Sequence, residues 1–386
     1  MRDDYYYQMI NGKYTILINF LYKPLDILSG DAYSARKISQ YKTFYFLVDG
    51  MGKGISASLT SMLITAYINH IVDMMIKTDE FDFHTIIKKA IEYIQPILLE
   101  EEAVATSFIL FDVNNDIMEY ATFAMPAIFL ENLQHEIIKM KSNNPPLCKY
   151  QKNFKIDRVD IGSIIKFLFY TDGLVESETN DNKTYNSFVE DDFLNSFTKN
   201  SFIEKAFNKI KIQEDDITII FLNKSTCFEG LVARKTFDSS LESVDEAGQW
   251  FEQELNTLLS RPESIYDAVT AFNELFMNAY EHGNLGIPSS LKHKLIEDGS
   301  YYETLQKKEK KCSKKIRVTI SRVMNNSEVN VITKITDEGE GFDTQILSKI
   351  FRNRQKFNGR GVFISRQSSA GIYYNSQGNT VLFIAN

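Results

Sequence analysis

The sequence predicts an α+β protein of two domains, the first built from two stacked β-sheets with helices outside. Three observations carry that expectation. The chain has 386 residues, more than one compact core usually organises. In its first half, short apolar runs of β type alternate with a single pair of helical patterns. Near residues 223–230 the composition changes, and from Leu241 the chain turns helical before strands return. Domains are therefore expected over residues 1–224 and 230–386.

Residues 14–21 and 44–48 read as strands flanking a polar stretch, 29–41. Residues 55–75 place Leu59, Met62, Leu63, Ala66 and Ile68 at helical spacing, and residues 83–99 repeat the pattern. Strands are expected at 105–112, 117–123 and 127–130, the first two joined by a hairpin-style turn at 113–116. Residues 143–146, Asn-Asn-Pro-Pro, form a loop, and the apolar runs 164–170 and 217–222 complete the first half. Beyond it come helices at 244–259 and 265–281, broken at Pro262. The lysine-rich stretch 285–315, ending in KKEKKCSKK, reads as a solvated loop. Strands follow at 316–322, 329–336 and 380–384.

Hydrophobic residues at 44% and aromatics at 13% suffice to fill two cores. A net charge of -8 argues against nucleic acid as the main partner, because phosphate binding wants a basic face. Cys148, Cys227 and Cys312 are widely spaced with no CxxC, which suits a reducing cytoplasm and offers neither a disulfide framework nor a zinc site. No unbroken apolar run approaches the roughly 20 residues of a membrane helix. The longest, 14–22, reads as a strand, and the opening MRDDYYY lacks the shape of a signal peptide. A cytoplasmic protein that does not engage a membrane is expected.

Residues 44–54 read FYFLVDGMGKG: an apolar strand ends on Asp49, and three glycines follow before the helix. A carboxylate at a strand end, with glycines that let backbone come close, can hold a divalent cation. Asp31 in SGD, Asp172 in YTDGL and the Asp215–Asp216 pair in EDDIT stand at similar places. Singly, each is as readily a turn or cap residue. Together they suggest a two-metal hydrolase, which needs hard oxygen ligands converging from several strands, one of them bridging. Asp49 is the bridging candidate, the Gly50 carbonyl is uncovered by any side chain, and Asp31, Asp172 and Asp215 complete the set, with Asp216 the alternative to Asp215.

This ordered set resembles the metal-dependent protein serine/threonine phosphatase (PPM) family in its bacterial sporulation and stress-response branch, over about residues 25–222. The resemblance implies an αββα sandwich with two Mn²⁺ or Mg²⁺ ions and direct attack of a metal-activated hydroxide on phosphoserine or phosphothreonine. It implies that Asp49 bridges, Gly50 ligates through its carbonyl, Asp172 and Asp215 serve one metal and Asp31 the other. Many members have a histidine in the glycine loop, where this chain has Met51 and Lys53; Lys53 is a candidate phosphate contact or a solvated lysine.

In the second half, residues 272–283 read FNELFMNAYEHG. Glu274 and Asn278, four apart, share one helix face, while Phe272, Leu275, Phe276 and Ala279 can face a core. A carboxylate beside an amide suits a base next to a Mg²⁺ ligand, or an exposed polar stripe; His282 reads as a helix-end residue. Residues 335–342, ITDEGEGF, end a strand on Asp337 with Gly339 and Gly341 beyond it. Residues 358–363, NGRGVF, bring Gly359 and Gly361 to a helix start, a natural phosphate cradle, and Thr380 enters the final strand.

That series resembles the GHKL ATPase fold, specifically the bacterial anti-sigma-factor serine kinases, over about residues 233–386. The resemblance implies an α/β sandwich binding ATP and Mg²⁺. Asn278 would bind Mg²⁺, Asp337 would recognise the adenine amino group, and Gly339, Gly341, Gly359 and Gly361 would line the nucleotide and its lid. Thr380 would lie near adenine, and Glu274 would be the base that activates an acceptor serine. Histidine kinases share this ATP fold, but no preceding helix pair with a phosphoacceptor histidine is legible. Together the two resemblances imply a homodimeric partner-switching regulator. Its phosphatase would act on a phosphoserine of a STAS-domain anti-sigma-factor antagonist, and its kinase-like half would phosphorylate such a protein or hold a sigma factor. The alternative is a phosphatase whose ATP-binding domain only senses nucleotide or docks a partner.

Overall fold

Strands with two apolar faces need cover on both sides, and the first half of the chain supplies it in four layers: helix, sheet, sheet, helix. The computed structural model describes residues 7–10, 14–50, 52, 54–226, 230–325, 328–342, 344 and 368–386. They fall into two compact units, Met9–Ser225 and Thr226–Asn386.

In chain order the first half of the chain forms β1 (Tyr7–Ile10), β2 (Tyr14–Lys23), β3 (Asp31–Lys37), β4 (Lys42–Gly50), α1 (Ile55–Thr78), α2 (Phe83–Ile94), β5 (Ala103–Asp112) and β6 (Ile117–Phe123). Then come β7 (Ile128–Asn132), β8 (Ile137–Met140), β9 (Leu147–Cys148), β10 (Asp157–Asp160), β11 (Ile164–Tyr170) and α3 (Asp172–Glu176). It closes with β12 (Glu178–Thr179), α4 (Val189–Leu194), α5 (Lys199–Lys209), β13 (Ile210–Ile212) and β14 (Ile217–Thr226). One sheet has the order β1-β2-β14-β11-β7-β8 and the other β10-β6-β5-β4-β3.

The period of two along β4 sorts its side chains. Phe44, Phe46 and Val48 pack with Ile64, Ile68 and Val72 of α1 and Ile87 and Ile91 of α2. Tyr45, on the opposite face, meets Phe20 of the other sheet at 6.4 Å. Phe111 of β5 likewise lies 5.1 Å and 6.2 Å from Phe167 and Phe169 of β11. The outer face of that second sheet, with Leu168, Tyr170 and Phe221, packs on Phe193 of α4 and Phe202 of α5.

The polar stretch 29–41 contains a strand that the sequence reading left out, β3. It is the edge of its sheet, paired with β4 from Asp31↔Asp49 to Lys37↔Thr43. Two of its polar residues face α1: Ser34 bonds Asn69, and Arg36 Nε donates to Asp73 at 2.9 Å. A polar strand–helix seam hides the apolar alternation that betrays a strand. A second correction concerns α1. Its 24 residues are long and apolar enough to cross a membrane, which counting unbroken apolar runs missed because Asn69, His70 and Asp73 interrupt it. Its inner face is core, while Leu59, Met62 and Leu63 are exposed.

The second unit contains β15 (Leu231–Asp238), α6 (Leu241–Leu258), α7 (Pro262–Asn278), a π-helical turn (Ala279–Asn284), α8 (Ser289–Glu297), α9 (Tyr301–Glu309), β16 (Lys315–Asn325), β17 (Glu328–Thr336), β18 (Gly371–Tyr374) and β19 (Thr380–Ala385). The sheet order is β15-β16-β17-β19-β18, with every neighbour antiparallel. Phe251 of α6 stacks on Phe272 of α7 at 4.1 Å and meets Phe383 of β19 at 5.8 Å, which seats both helices on one sheet face. The Ser240 side chain caps α6 by accepting from Ser243 N–H. Pro262 opens α7 as its first residue, where a missing N–H costs nothing, so the helix starts earlier than expected from the break. The lysine-rich stretch read as a loop holds α8 and α9. Residues of α8 are all at least partly exposed and α9 buries only Leu305, so neither shows the apolar stripe that marks a helix in sequence.

The ends of β11 and β14 are pinned together where Thr171 N–H donates to the Thr218 carbonyl. A Cβ on Gly173 would lie 2.1 Å from the Asp216 carbonyl oxygen, so only glycine permits the approach. Gly173→Ala is therefore expected to cost about 1–3 kcal/mol, the usual range for overpacking. A lowered denaturation midpoint would record this, and an unchanged midpoint would show that the junction relaxes freely.

Candidate active site and nucleotide site

Because side chains alternate, Asp49 shares a face with Tyr45 and so points between the two sheets. Asp31 lies directly opposite it in register. From the facing sheet, β11 ends at Tyr170 and Thr171 leads to Asp172, and β14 begins just after Asp215 and Asp216. The structure thus brings Asp31, Asp49, Asp172 and Asp215 to one end of the sandwich. Asp31 is 1% exposed, and its Oδ2 accepts from the hydroxyls of Thr171 and Thr218, each at 2.7 Å.

Asp216 has a different task. Its two carboxylate oxygens accept from Leu25 N–H and Gly30 N–H, both at 2.7 Å, and fasten the loop before β3. Gly30 in turn lies against Gly50: its missing Cβ would sit 3.1 Å from the Gly50 carbonyl oxygen. Gly50 is itself forced by α1, since a Cβ there would lie 2.8 Å from the Ala57 carbonyl.

Electrostatics follow from this crowding. Burial, then the charges of Asp31 and Asp172, a hydrogen bond with Asp172 and the charge of Asp215 push the Asp49 carboxyl up to about 10. Burial likewise raises Asp31 well above the carboxylate range, against the hydrogen bonds from Thr218 and Thr171. Among the described residues, no three acidic, imidazole or thiol side chains close on a single point as a finished ligand set. The donors are nonetheless all hard oxygens crowded at one end of the sandwich, so they fit Mn²⁺ or Mg²⁺. A cleft of about 440 Å³ opens beside Asp172, lined by Met125, Pro126, Val175 and Asn186 among others. Met51 and Lys53 lie outside the described residues.

In the second unit, Glu274 and Asn278 stand one turn apart at the end of α7, both half-buried. Asp337 follows β17. Its N–H donates to the Asn379 carbonyl, and its Oδ1 accepts from Gly339 N–H at 2.8 Å. Burial pushes its carboxyl up to about 6, with the Gly339 hydrogen bond pulling the other way. Thr380 pairs with Thr336 in register, and their hydroxyls meet at 3.2 Å. Gly341 has a left-handed φ of 78°, and its absent Cβ would collide with the Gln377 carbonyl. Asp337, Gly339, Gly341 and Thr380 are therefore neighbours. Gly359 and Gly361 lie outside the described residues.

Several residues were missed in sequence. Thr171 and Thr218 stand inside the motifs YTDGL and DDIT, but only the meeting of the two sheets shows that both serve Asp31. Gly283 abuts Asp337: a Cβ there would lie 2.5–2.8 Å from the carboxyl atoms. Asn284 accepts from Glu338 N–H at 2.8 Å, and the buried Glu281 accepts from Lys292 and Tyr301. His282, read as a helix-end residue, bonds the Ile287 carbonyl through Nδ1.

The chain matches two known families. Residues 39–224 match the family described as Stage II sporulation protein E (SpoIIE), and residues 237–385 match the Histidine kinase-like ATPase domain. No curated protein sequence is detectably similar. Among solved structures, the RsbU and RsbW domains of Rv1364c from Mycobacterium tuberculosis are 13% identical, covering 97% of this chain and 94% of that one with a TM-score of 0.49. The SiaA-PP2C domain of Pseudomonas aeruginosa is 18% identical, covering 53% and 85%, with a TM-score of 0.45. The PP2C phosphatase domain of SpoIIE from Bacillus subtilis, solved with a fragment of its regulatory domain, is 16% identical, covering 55% and 65%, with a TM-score of 0.45. The chain carries a SpoIIE-type PPM phosphatase domain followed by a histidine kinase-like, GHKL-type ATPase domain.

Because Asp49 holds a proton up to about pH 10, a cation taken up at neutral pH must displace it. Mn²⁺ binding at pH 7 is expected to release protons, and apparent affinity to rise with pH. Asp49→Asn should remove most of the release and weaken binding about tenfold or more. Calorimetry in two buffers of different ionisation enthalpy reads both; binding without proton release would contradict the arrangement.

Proposed function

We propose that this chain, a SpoIIE-type phosphatase joined to a histidine kinase-like ATPase domain, is a cytoplasmic partner-switching regulator. Its first unit dephosphorylates a phosphoserine on a STAS-domain anti-sigma-factor antagonist. Its second unit binds ATP and Mg²⁺ and phosphorylates such a protein, or holds a sigma factor. A homodimer is the assembly we expect. The observation that carries the reading is the convergence of Asp31, Asp49, Asp172 and Asp215 from two facing sheets.

In the phosphatase unit, Asp31, Asp49, Asp172, Asp215 and the Gly50 carbonyl would hold two Mn²⁺ or Mg²⁺ ions. Bound cations lower the pKa of water and neutralise phosphoryl oxygens. The chain's own work is positioning. Thr171 and Thr218 aim the Asp31 carboxylate, and Asp216 fastens the Gly30 loop against Gly50. The cleft beside Asp172 admits the chain that carries the phosphoserine, with Met125 and Val175 as apolar walls. Holding the reacting groups in place is itself a large part of such catalysis.

In the ATPase unit, Asp337 would accept from the adenine amino group. A carboxyl held at about 6 is ionised at neutral pH and able to do so. Asn278 would ligate Mg²⁺, and Glu274, one turn earlier on the same face, would take the proton of the acceptor serine. Gly339, Gly341, Gly359, Gly361 and Thr380 would line the nucleotide. With Asp49→Asn in every protein to silence the phosphatase, labelled ATP should transfer phosphate to a STAS protein. Glu274→Ala or Asn278→Ala should reduce that transfer about a hundredfold or more. Tight ATP binding without any transfer would instead assign the second unit to nucleotide sensing or partner docking.

A further inference from the structure

Residues 285–314 insert a helical pair, α8 and α9, between the end of the π-helical turn and β16. Such a pair would ordinarily be held by an apolar seam, yet α8 buries no residue and α9 only Leu305. Leu305 enters the core and Leu295 and Tyr301 pack against it, and a polar cluster adds to that hold. Glu281, at the centre of the π turn, is 1% exposed. Lys292 of α8 reaches its Oε2 at 2.5 Å, and the Tyr301 hydroxyl of α9 donates to its Oε1. Lys292 also lies over the Tyr301 ring at 5.6 Å, so the three side chains form one cluster. Lys308 donates to the Leu285 carbonyl at 2.8 Å, and Tyr280 bonds Glu309 from the same turn. A carboxylate buried this deeply is tolerated only while both partners stay in place.

The same turn forms one wall of the proposed adenine site. Two residues beyond Glu281, Gly283 sits flush against the Asp337 carboxyl, and its carbonyl would be 2.2 Å from a Cβ on Gly339. Asn284 holds the backbone of Glu338. No slack separates the turn from Asp337, so a shift at Glu281 must be felt there. Insertion of a π turn is a frequent mark of a functional segment.

We propose that Glu281 is a positioning residue for nucleotide binding: held by Lys292 and Tyr301, it locks the inserted helical pair to the turn that seats Gly283 against Asp337, and so sets the fit of the adenine pocket. The inference rests on the reading of the second unit as an adenine-nucleotide site. It makes the outer surface of α8 and α9 a place from which nucleotide affinity can be altered.

The test measures binding of ADP and GDP to the whole chain, with Mg²⁺, for the native protein, Tyr301→Phe, Lys292→Met and Lys292→Arg. Tyr301→Phe removes one hydroxyl, and thermal melts without nucleotide report whether each variant remains folded. The expected result is ADP affinity lower by about three- to tenfold in Tyr301→Phe and Lys292→Met, the worth of one hydrogen bond. Preference for ADP over GDP should fall with it, and Lys292→Arg should retain both. A merely structural role would lower the melting temperature and leave the ADP-to-GDP ratio unchanged, and that outcome overturns the inference. A native chain that binds neither nucleotide would instead overturn the adenine-site reading beneath it.

Discussion

Two carboxylates directly opposite one another on adjacent antiparallel strands repel, and the phosphatase unit is arranged around keeping Asp31 and Asp49 in that position. Both point into the space between the sheets, where desolvation adds to the repulsion. The fold answers with Thr171 and Thr218, which stabilise the Asp31 carboxylate from the facing sheet, and with the hydrogen bond between Asp49 and Asp172. Those contacts require the two sheets to meet closely at this end. The flush seat of Gly173 on the Asp216 carbonyl fixes the β11–β14 end of one sheet, and that of Gly50 on α1 fixes the end of β4 in the other. Burying several carboxyls together is costly to stability, a cost that a bound divalent cation would offset.

The ATPase unit uses the same device with other residues. Asp337 is buried at a strand end and is hemmed by glycines at 283 and 339, whose missing side chains let backbone approach the carboxyl. Threonine hydroxyls position Asp31 in the first unit, and backbone contact positions Asp337 in the second. Small displacements of the surrounding loops therefore translate directly into changes at the carboxylate.

Much of this was legible in the sequence because metal and nucleotide sites sit where strands end and glycines begin. Asp49, Asp172, Asp337 and their glycines announce themselves by that punctuation, and the apolar runs around them fixed most strands to within a few residues. What stayed hidden depends on contacts across the fold. β3 carries polar residues because its outer face bonds α1, so it showed no alternation. Asp216 and Asp215 are adjacent in sequence and differ only in what meets them: the amides of Leu25 and Gly30 come to Asp216. Glu281 looks like any polar residue at a helix end until α8 and α9 close over it, and those helices lack the stripe that would have revealed them.

The central claim is that the four-carboxylate end of the sandwich hydrolyses phosphoserine with divalent cations. Its most direct test is phosphate release from a serine-phosphorylated STAS protein, with Mn²⁺ and after chelation, for the native chain and Asp49→Asn. The account requires release that depends on Mn²⁺ and falls by about a hundredfold or more in folded Asp49→Asn. Release that survives either chelation or the substitution would contradict it.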